Sequence, residues 1–79
     1  MRTRIQAGKN HRKGARRVRD AGGVVATVLE ERQAIVDFYQ ACPEGYEVDH
    51  IVAVANGGSH TLDNLQYLTK LENSRKGNA

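Results

Sequence analysis

The spacing of apolar residues predicts an amphipathic helix in the first half of the chain, over residues 24–42. Apolar positions recur there every three or four residues, with charged and amide side chains between them, which is the period of a helix with one buried face. The two leading valines are weak helix formers, which leaves Ala26 as an alternative start. Because Pro43 cannot continue a helix, we expect the helix to end at Ala41 or Cys42.

The second half of the chain changes to the pattern of short strands. Residues 46–52 alternate between two faces, which is typical of a β-strand. Residues 53–63 contain an Asn-Gly-Gly-Ser run and are predicted to be a loop. Residues 65–68 are short and apolar enough for a second strand. The pattern therefore predicts a two-stranded unit behind the helix.

A short helix is predicted after the second strand. Thr69 and Glu72 have the spacing of a capping box, in which the threonine caps the helix and the glutamate binds back to the cap. We expect this helix to run to about Lys76 and to end at Gly77. The order helix, strand, loop, strand, short helix predicts an α+β fold.

Basic charge is concentrated at the N-terminus. Eight of the 12 basic residues lie within residues 1–19, which contain no acidic residue. We predict a basic, flexible arm over residues 1–23, with little regular structure in residues 1–12 and a short helix at about residues 13–20 on a bound partner. Such an arm suits the phosphates of nucleic acid; the alternative is a solvated tail. The candidate nucleic-acid-binding residues are Arg12, Lys13, Arg16, Arg17 and Arg19.

Composition limits the class of protein. A chain of 79 residues with 39% hydrophobic residues can form one small core, over residues 24–79, backed by a metal, a partner or nucleic acid. Cys42 is the only cysteine, which excludes an internal disulfide and a cysteine-based zinc site; we expect its side chain to be buried. No apolar run is long enough for a membrane span, and no apolar stretch follows the basic N-terminus, so we expect a cytoplasmic protein.

Four polar residues of the strand–strand–helix segment form a candidate site: Asp49, His50, Asn64 and Asn73. At a strand end, twist can bring adjacent side chains such as Asp49 and His50 to one ligand. A carboxylate suits Mg²⁺ or Mn²⁺, and a neutral histidine can take a proton from water near pH 7. Asn73 lies one turn beyond the predicted cap, where its amide oxygen can join Asp49 on a metal.

These residues resemble the HNH (ββα-metal, or His-Me finger) endonuclease motif over about residues 43–78. The resemblance is carried by Val-Asp-His-Ile-Val at residues 48–52, by the Gly-Gly pair, by Asp-Asn-Leu-Gln-Tyr-Leu at residues 63–68 and by Glu-Asn-Ser-Arg-Lys-Gly at residues 72–77. The three motif letters correspond to His50, Asn64 and Asn73. The segment before Asp49 also resembles short phage HNH proteins.

The resemblance implies a metal-dependent endonuclease that hydrolyses DNA phosphodiester bonds. It implies that His50 is the general base, that Asp49 and Asn73 hold one divalent metal, and that Asn64 ties down the loop and orients the histidine. Asn73 in the third position favours Mg²⁺, with Mn²⁺ as the alternative. The paired CxxC zinc motifs of many members are missing here, and the preceding amphipathic helix must supply packing instead.

Partners and competing interpretations follow from the same residues. We expect double-stranded DNA as substrate, with Arg75 and Lys76 as further phosphate contacts, and a phage packaging complex as one candidate protein partner, in which case the gene would be phage-encoded. The alternative function is a non-catalytic nucleic-acid-binding module on a degenerate HNH fold. Of the other histidines, we expect His60 to be exposed in the loop and His11 only to add to the basic arm.

Overall fold

The computed structural model describes residues 4–76. Three α-helices, two short 3₁₀ helices (Val54–Asn56 and Leu62–Asn64) and one two-stranded antiparallel sheet make up this part of the chain. The predicted α+β class and the strand–strand–helix order are confirmed. In chain order the elements are α1 (Arg4–Asp20), α2 (Leu29–Gln40), β1 (Tyr46–His50), β2 (Leu65–Thr69) and α3 (Lys70–Arg75).

Helix α1 differs most from the sequence-based expectation. The prediction of little regular structure before residue 13 is wrong from Arg4 onward, because α1 is continuous to Asp20 and packs against α2. Its buried residues recur at steps of four, three and four, which places them on one face of the helix. That face comprises Ala7, His11, Gly14 and Val18. Burial of this stripe outweighs the low helix propensity of the two internal glycines.

The predicted start of the second helix is also wrong. Residues 24–26 are extended and pair with the loop before β2: His60 N donates to Val24 O (2.8 Å) and Ala26 N donates to His60 O (3.1 Å). Helix α2 then begins at Leu29 and ends at Gln40. The β-branched valines favour the extended pairing over a helical turn. The end of α2 precedes Pro43, as expected.

Strands β1 and β2 form the hairpin that carries the candidate site. Asp49 pairs with Gln66 and His50 with Leu65 in the antiparallel register. Strand β1 ends at His50, two residues before the predicted end at residue 52. The following loop folds back so closely that a Cβ at Gly58 would collide with the carbonyl of Val52. The Gly-Gly pair is therefore explained by loop geometry.

Helix α3 begins with the predicted capping box. Glu72 N donates to Thr69 Oγ1 (3.1 Å) and Thr69 N donates to Glu72 Oε1 (2.9 Å). The helix is six residues long and packs on both strands. Its predicted end at Gly77 lies outside the described residues. The capping box fixes where α3 starts, and therefore which residues of α3 face β1.

The hydrophobic core lies between α1, α2 and β2. Its buried members include Ile35 and Tyr39 of α2 and Leu65 of β2. Cys42 is 1% exposed, which confirms its predicted burial. Within residues 4–76, no helix is both long enough and apolar enough to span a membrane.

Candidate active site

Asp49 and His50 border one cleft, although neighbours on a strand ordinarily point to opposite faces. Both lie at the end of β1, where the ladder stops after the pairing of His50 with Leu65. Three further polar residues line the same cleft, which we call the β1 cleft: Arg17, Asn73 and Lys76. The structure therefore brings together the predicted base, both predicted metal ligands and two cations from distant parts of the chain.

One ring nitrogen of His50 is engaged by another buried histidine. The side chain of His50 is mostly buried, and its Nε2 lies 2.9 Å from Nδ1 of His60. Because Nε2 is used by His60, Nδ1 is the nitrogen left for a substrate water. Burial lowers the pKa of His50 below its ordinary value, the Arg17 guanidinium acts in the same direction, the Asp49 carboxylate opposes both, and Lys76 adds a smaller lowering. His50 is therefore neutral at pH 7, as a general base must be.

Two hydrogen-bond donors hold the Asp49 carboxylate, and both bond to the same oxygen, Oδ2. Its Oδ2 accepts from Gln66 Nε2 across the strand pair (3.1 Å) and from Lys76 Nζ (2.6 Å). Lys76 also donates to the carbonyl oxygens of His50 (2.5 Å) and Ile51 (3.2 Å). The carboxylate is thus oriented through Oδ2, and Oδ1 remains as a ligand atom. Because the Lys76 ammonium already binds Asp49 Oδ2, this part of the β1 cleft accommodates a positive charge.

Asn73 is held in a way that suits an oxygen ligand. Its Nδ2 donates to Glu47 Oε1 (2.8 Å), which leaves the amide oxygen as the atom that can bind a metal. Asp49 and Asn73 together supply two hard oxygens, and Mg²⁺ usually takes one or two protein ligands with water and phosphate in the other positions. Within residues 4–76, no three His, Cys, Asp or Glu side chains are grouped to hold a metal. One carboxylate oxygen and one amide oxygen fit a hard metal that keeps most of its water ligands.

Asn64 braces the loop that follows β1. Its Oδ1 accepts from Val52 N (2.9 Å), and its Nδ2 donates to Val52 O (3.2 Å) and Ser59 O (2.8 Å). Ile51 N also donates to the Asn64 carbonyl (2.8 Å). These bonds join Asn64 to both ends of the loop that follows His50, at residues 51–52 and at Ser59. Asn64 is thereby suited to position the base rather than to touch a substrate.

The basic residues of α1 fall on different sides of that helix. Arg17 lines the β1 cleft, and with Lys13 it also lines an adjoining groove that reaches His50. The predicted phosphate contacts Arg12, Arg16 and Arg19 instead line a groove that also includes Arg32 of α2. Arg75 lies in the last turn of α3. Only part of the predicted basic surface therefore adjoins the candidate site.

Two buried histidines were missed by the sequence analysis. His60, expected to be exposed, is 0% exposed, and His11, expected only to add basic charge, is 5% exposed. The signal for His11 was its place in the helical stripe of small and apolar residues on α1. No comparable local signal marks His60, because its ring contacts come from α1, α2 and β1.

One family model matches this chain. The family model of the HNH endonucleases matches residues 36–79, which is more than half of the chain. No curated protein and no solved structure gave a match. HNH endonucleases act on DNA and generally use a divalent metal. The matched segment contains β1, β2, α3 and all four residues of the predicted site. The chain belongs to the HNH endonuclease family.

Proposed function

We propose that this protein is a metal-dependent endonuclease that hydrolyses phosphodiester bonds of double-stranded DNA, with His50 as the general base. The observation that carries the proposal is that Asp49, His50 and Asn73 line one cleft. Their chemistry is complementary there: His50 is a neutral base with one nitrogen left for water, and the other two side chains offer hard oxygens. Family membership alone supports a nuclease, and this geometry supports the assignment of roles.

Asp49 and Asn73 are the proposed ligands of one divalent metal, with Mg²⁺ as the first choice and Mn²⁺ as the alternative. A bound metal would supply positive charge for the phosphate and for the leaving 3′ oxygen. On the protein side, Gln66 and Lys76 orient the carboxylate of Asp49, and Glu47 orients the amide of Asn73. The two ligands are thus held before substrate arrives.

The proposed reaction uses His50 to move a single proton. Nδ1 of His50 takes one proton of the attacking water, whose oxygen bonds to phosphorus as the bond to the 3′ oxygen breaks. The 3′ oxygen leaves with the bonding electron pair and takes a proton from solvent. Arg17 and Lys76 line the β1 cleft and are the proposed contacts of the phosphate. Asn64 keeps the loop after β1 in place and acts as a positioning residue.

One contact favours the second candidate function, a non-catalytic nucleic-acid-binding module. The Lys76 ammonium already neutralises Asp49 at 2.6 Å, and a metal has to share that carboxylate with it. If the ammonium excludes the metal, the protein binds DNA without cutting it. Incubation of plasmid DNA with the protein, across Mg²⁺ and Mn²⁺ concentrations and with a chelator, separates the two functions.

Replacement of Asp49 is expected to raise the Mg²⁺ requirement of cleavage. The variant Asp49→Asn loses the charged ligand but keeps its size, so half-maximal cleavage should need at least about tenfold more Mg²⁺. The measurement is a Mg²⁺ titration of plasmid cleavage. The matched control is Glu44→Gln, which removes an exposed carboxylate in the turn before β1. An Asp49→Asn titration that overlays the parent curve would contradict the ligand role.

DNA affinity is expected to depend on Arg17, which lies on the side of α1 that faces the β1 cleft. Arg17→Ala removes a cation from the β1 cleft and should weaken binding severalfold and reduce the slope of log affinity against log salt by about one. Arg16→Ala is the matched control, because Arg16 lines the opposite groove and is exposed beside Asp20 (3.8 Å). Binding is measured without metal by fluorescence anisotropy at several salt concentrations.

Equal effects of Arg16→Ala and Arg17→Ala would instead favour a diffuse basic surface. These point variants are preferable to removing residues 1–19, because that deletion would take away the buried residues Ala7, His11 and Val18 and so disturb the fold.

A further inference from the structure

Three histidines form a continuous chain that ends at the proposed base. His11 of α1 and His60 of the loop lie with Nδ1 and Nε2 3.1 Å apart, and the other ring nitrogen of His60 lies 2.9 Å from Nε2 of His50. All three side chains are buried. The proposed reaction gives no role to His11 or His60.

The ring planes of His11 and His60 lie 26° apart and those of His50 and His60 lie 46° apart, and in each pair two ring nitrogens are within hydrogen-bonding distance. Ring centroids are 5.1 Å apart for His11 and His60, and 5.2 Å apart for His50 and His60. Centroids this far apart, with nitrogens at 2.9–3.1 Å, indicate N–H to N hydrogen bonds.

His60 is held firmly from several sides. Its backbone N and O both bond to the extended segment at residues 24–26. Gly14 of α1 lies directly against its ring, where a Cβ would come within 2.6 Å of His60 Cε1 and 3.0 Å of the Tyr39 hydroxyl. A glycine is therefore needed at this position for α1 to approach the ring. The ring of His60 is in this way fixed between α1 and β1.

Proton counting links the tautomers of the three rings. A neutral imidazole has one N–H and one lone pair, and each bond in the chain needs one of each. Because His60 uses both nitrogens, its proton position determines both neighbours. If the proton of His60 lies on Nε2, all three rings carry Nε2–H, and Nδ1 of His50 carries a lone pair. If it lies on Nδ1, all three carry Nδ1–H, and His50 cannot accept a proton there.

The first arrangement is the favoured one. Nε2–H is the intrinsically more stable tautomer of neutral histidine, and here the three rings adopt it together. Burial lowers the pKa of His60 to about 4, with the neighbouring histidines acting in the same direction, so this ring is neutral at pH 7 and can accept the N–H of His50. The bond made by one ring nitrogen then determines the state of the other.

We propose that His60 is the positioning residue of the general base, and that the chain His11–His60–His50 holds His50 in its Nε2–H tautomer with Nδ1 ready to accept a proton from water. His60 orients His50 in the way that a third residue orients the base of a nucleophile–base pair. The catalytic part of this proposal rests on the proposed nuclease function, whereas the tautomer itself does not.

The test is long-range ¹H–¹⁵N NMR of the histidine rings in the full chain at pH 7.5 without added metal. In the parent, His50 should be the Nε2–H tautomer. His60→Leu removes the acceptor and should give His50 a mixture of tautomers. His60→Asn puts Oδ1 close to the place of Nδ1 and should restore the parent tautomer. An Nδ1–H tautomer of His50 in the parent, or a parent-like tautomer in His60→Leu, overturns the proposal.

Cleavage kinetics give the second readout. His60→Leu should lower kcat about 10- to 100-fold with KM unchanged, since it leaves the DNA contacts in place, and His60→Asn should recover most of that loss. If His60→Leu does not fold, His11→Leu breaks only the outer bond and should shift the His50 tautomer in the same direction; a parent-like spectrum there overturns the chain. A parent that does not cut DNA would refute the proposed function, while its spectrum would still decide the tautomer.

Discussion

His50→Ala is expected to lower the rate of DNA cleavage by about 10²- to 10⁴-fold, the usual contribution of a general base. The proposed ligands Asp49 and Asn73 and the cleft cation Arg17 remain in this variant. DNA affinity should therefore stay within a few-fold of the parent. The measurements are plasmid cleavage in Mg²⁺ and anisotropy binding in the absence of metal.

A second variant separates catalysis from folding. His50 is buried and bonded to His60, so alanine leaves a cavity and a ring nitrogen of His60 without its partner. His50→Gln fills most of that space, and its amide N–H can replace Nε2–H toward His60, yet it has no basic nitrogen. It should fold as the parent does and be as inactive as alanine. Cleavage by His50→Gln at the parental rate would exclude His50 as the base.

Acidification from pH 6.5 towards pH 4 is expected to destabilise the protein. Burial, and then the neighbouring histidines, lower the pKa of His60 to about 4 from its ordinary value of 6.5. The unfolded chain therefore takes up a proton at a higher pH than the folded chain does. The associated stability is fully present above pH 6.5 and is lost as the pH falls toward 4.

For His60 alone, the free energy of unfolding falls by on the order of 3 kcal/mol as the pH is lowered from 6.5 towards 4. The pKa values of His11 and His50 are lowered as well, chiefly by burial, and their loss has the same sign. Small domains have only about 5–15 kcal/mol of stability in total, so the effect should be visible. Urea unfolding between pH 7.5 and 4.5 measures the free energy of unfolding at each pH. His60→Asn should make this free energy depend less on pH. A parent whose stability rises on acidification would contradict the neutral buried chain.

Local patterns predicted the half of the fold that carries the site. Alternation identified β1, and the Thr69–Glu72 capping box fixed the start of α3, the helix that brings Asn73 into the β1 cleft. These features depend on neighbours within a few residues, which is why the sequence expresses them directly. The match of the family model to residues 36–79 confirms the predicted family. The catalytic and metal-binding roles of the four residues remain predictions.

The N-terminal part was less predictable because its helix depends on packing. Its charge and glycines favoured a flexible arm, but burial of one narrow face against α2 accounts for a continuous α1. The same burial separates Arg17 from Arg16, which charge alone treats as equivalent. Charge counts therefore predicted a basic extension, whereas packing decided which of its side chains approach the cleft.

By itself, the sequence determined the α+β class, the pairing of an acid with a histidine at a strand end, and the capped helix that supplies Asn73. Only the tertiary structure decided that His60 and His11 form a hydrogen-bonded chain with His50. The bonds from His60 span 10 residues to His50 and 49 to His11, and they join a loop, a strand and the helix whose burial was not foreseen. Contacts of that kind have no local period or spacing, because they arise only when α1 packs closely enough, through Gly14, to bury the ring of His60.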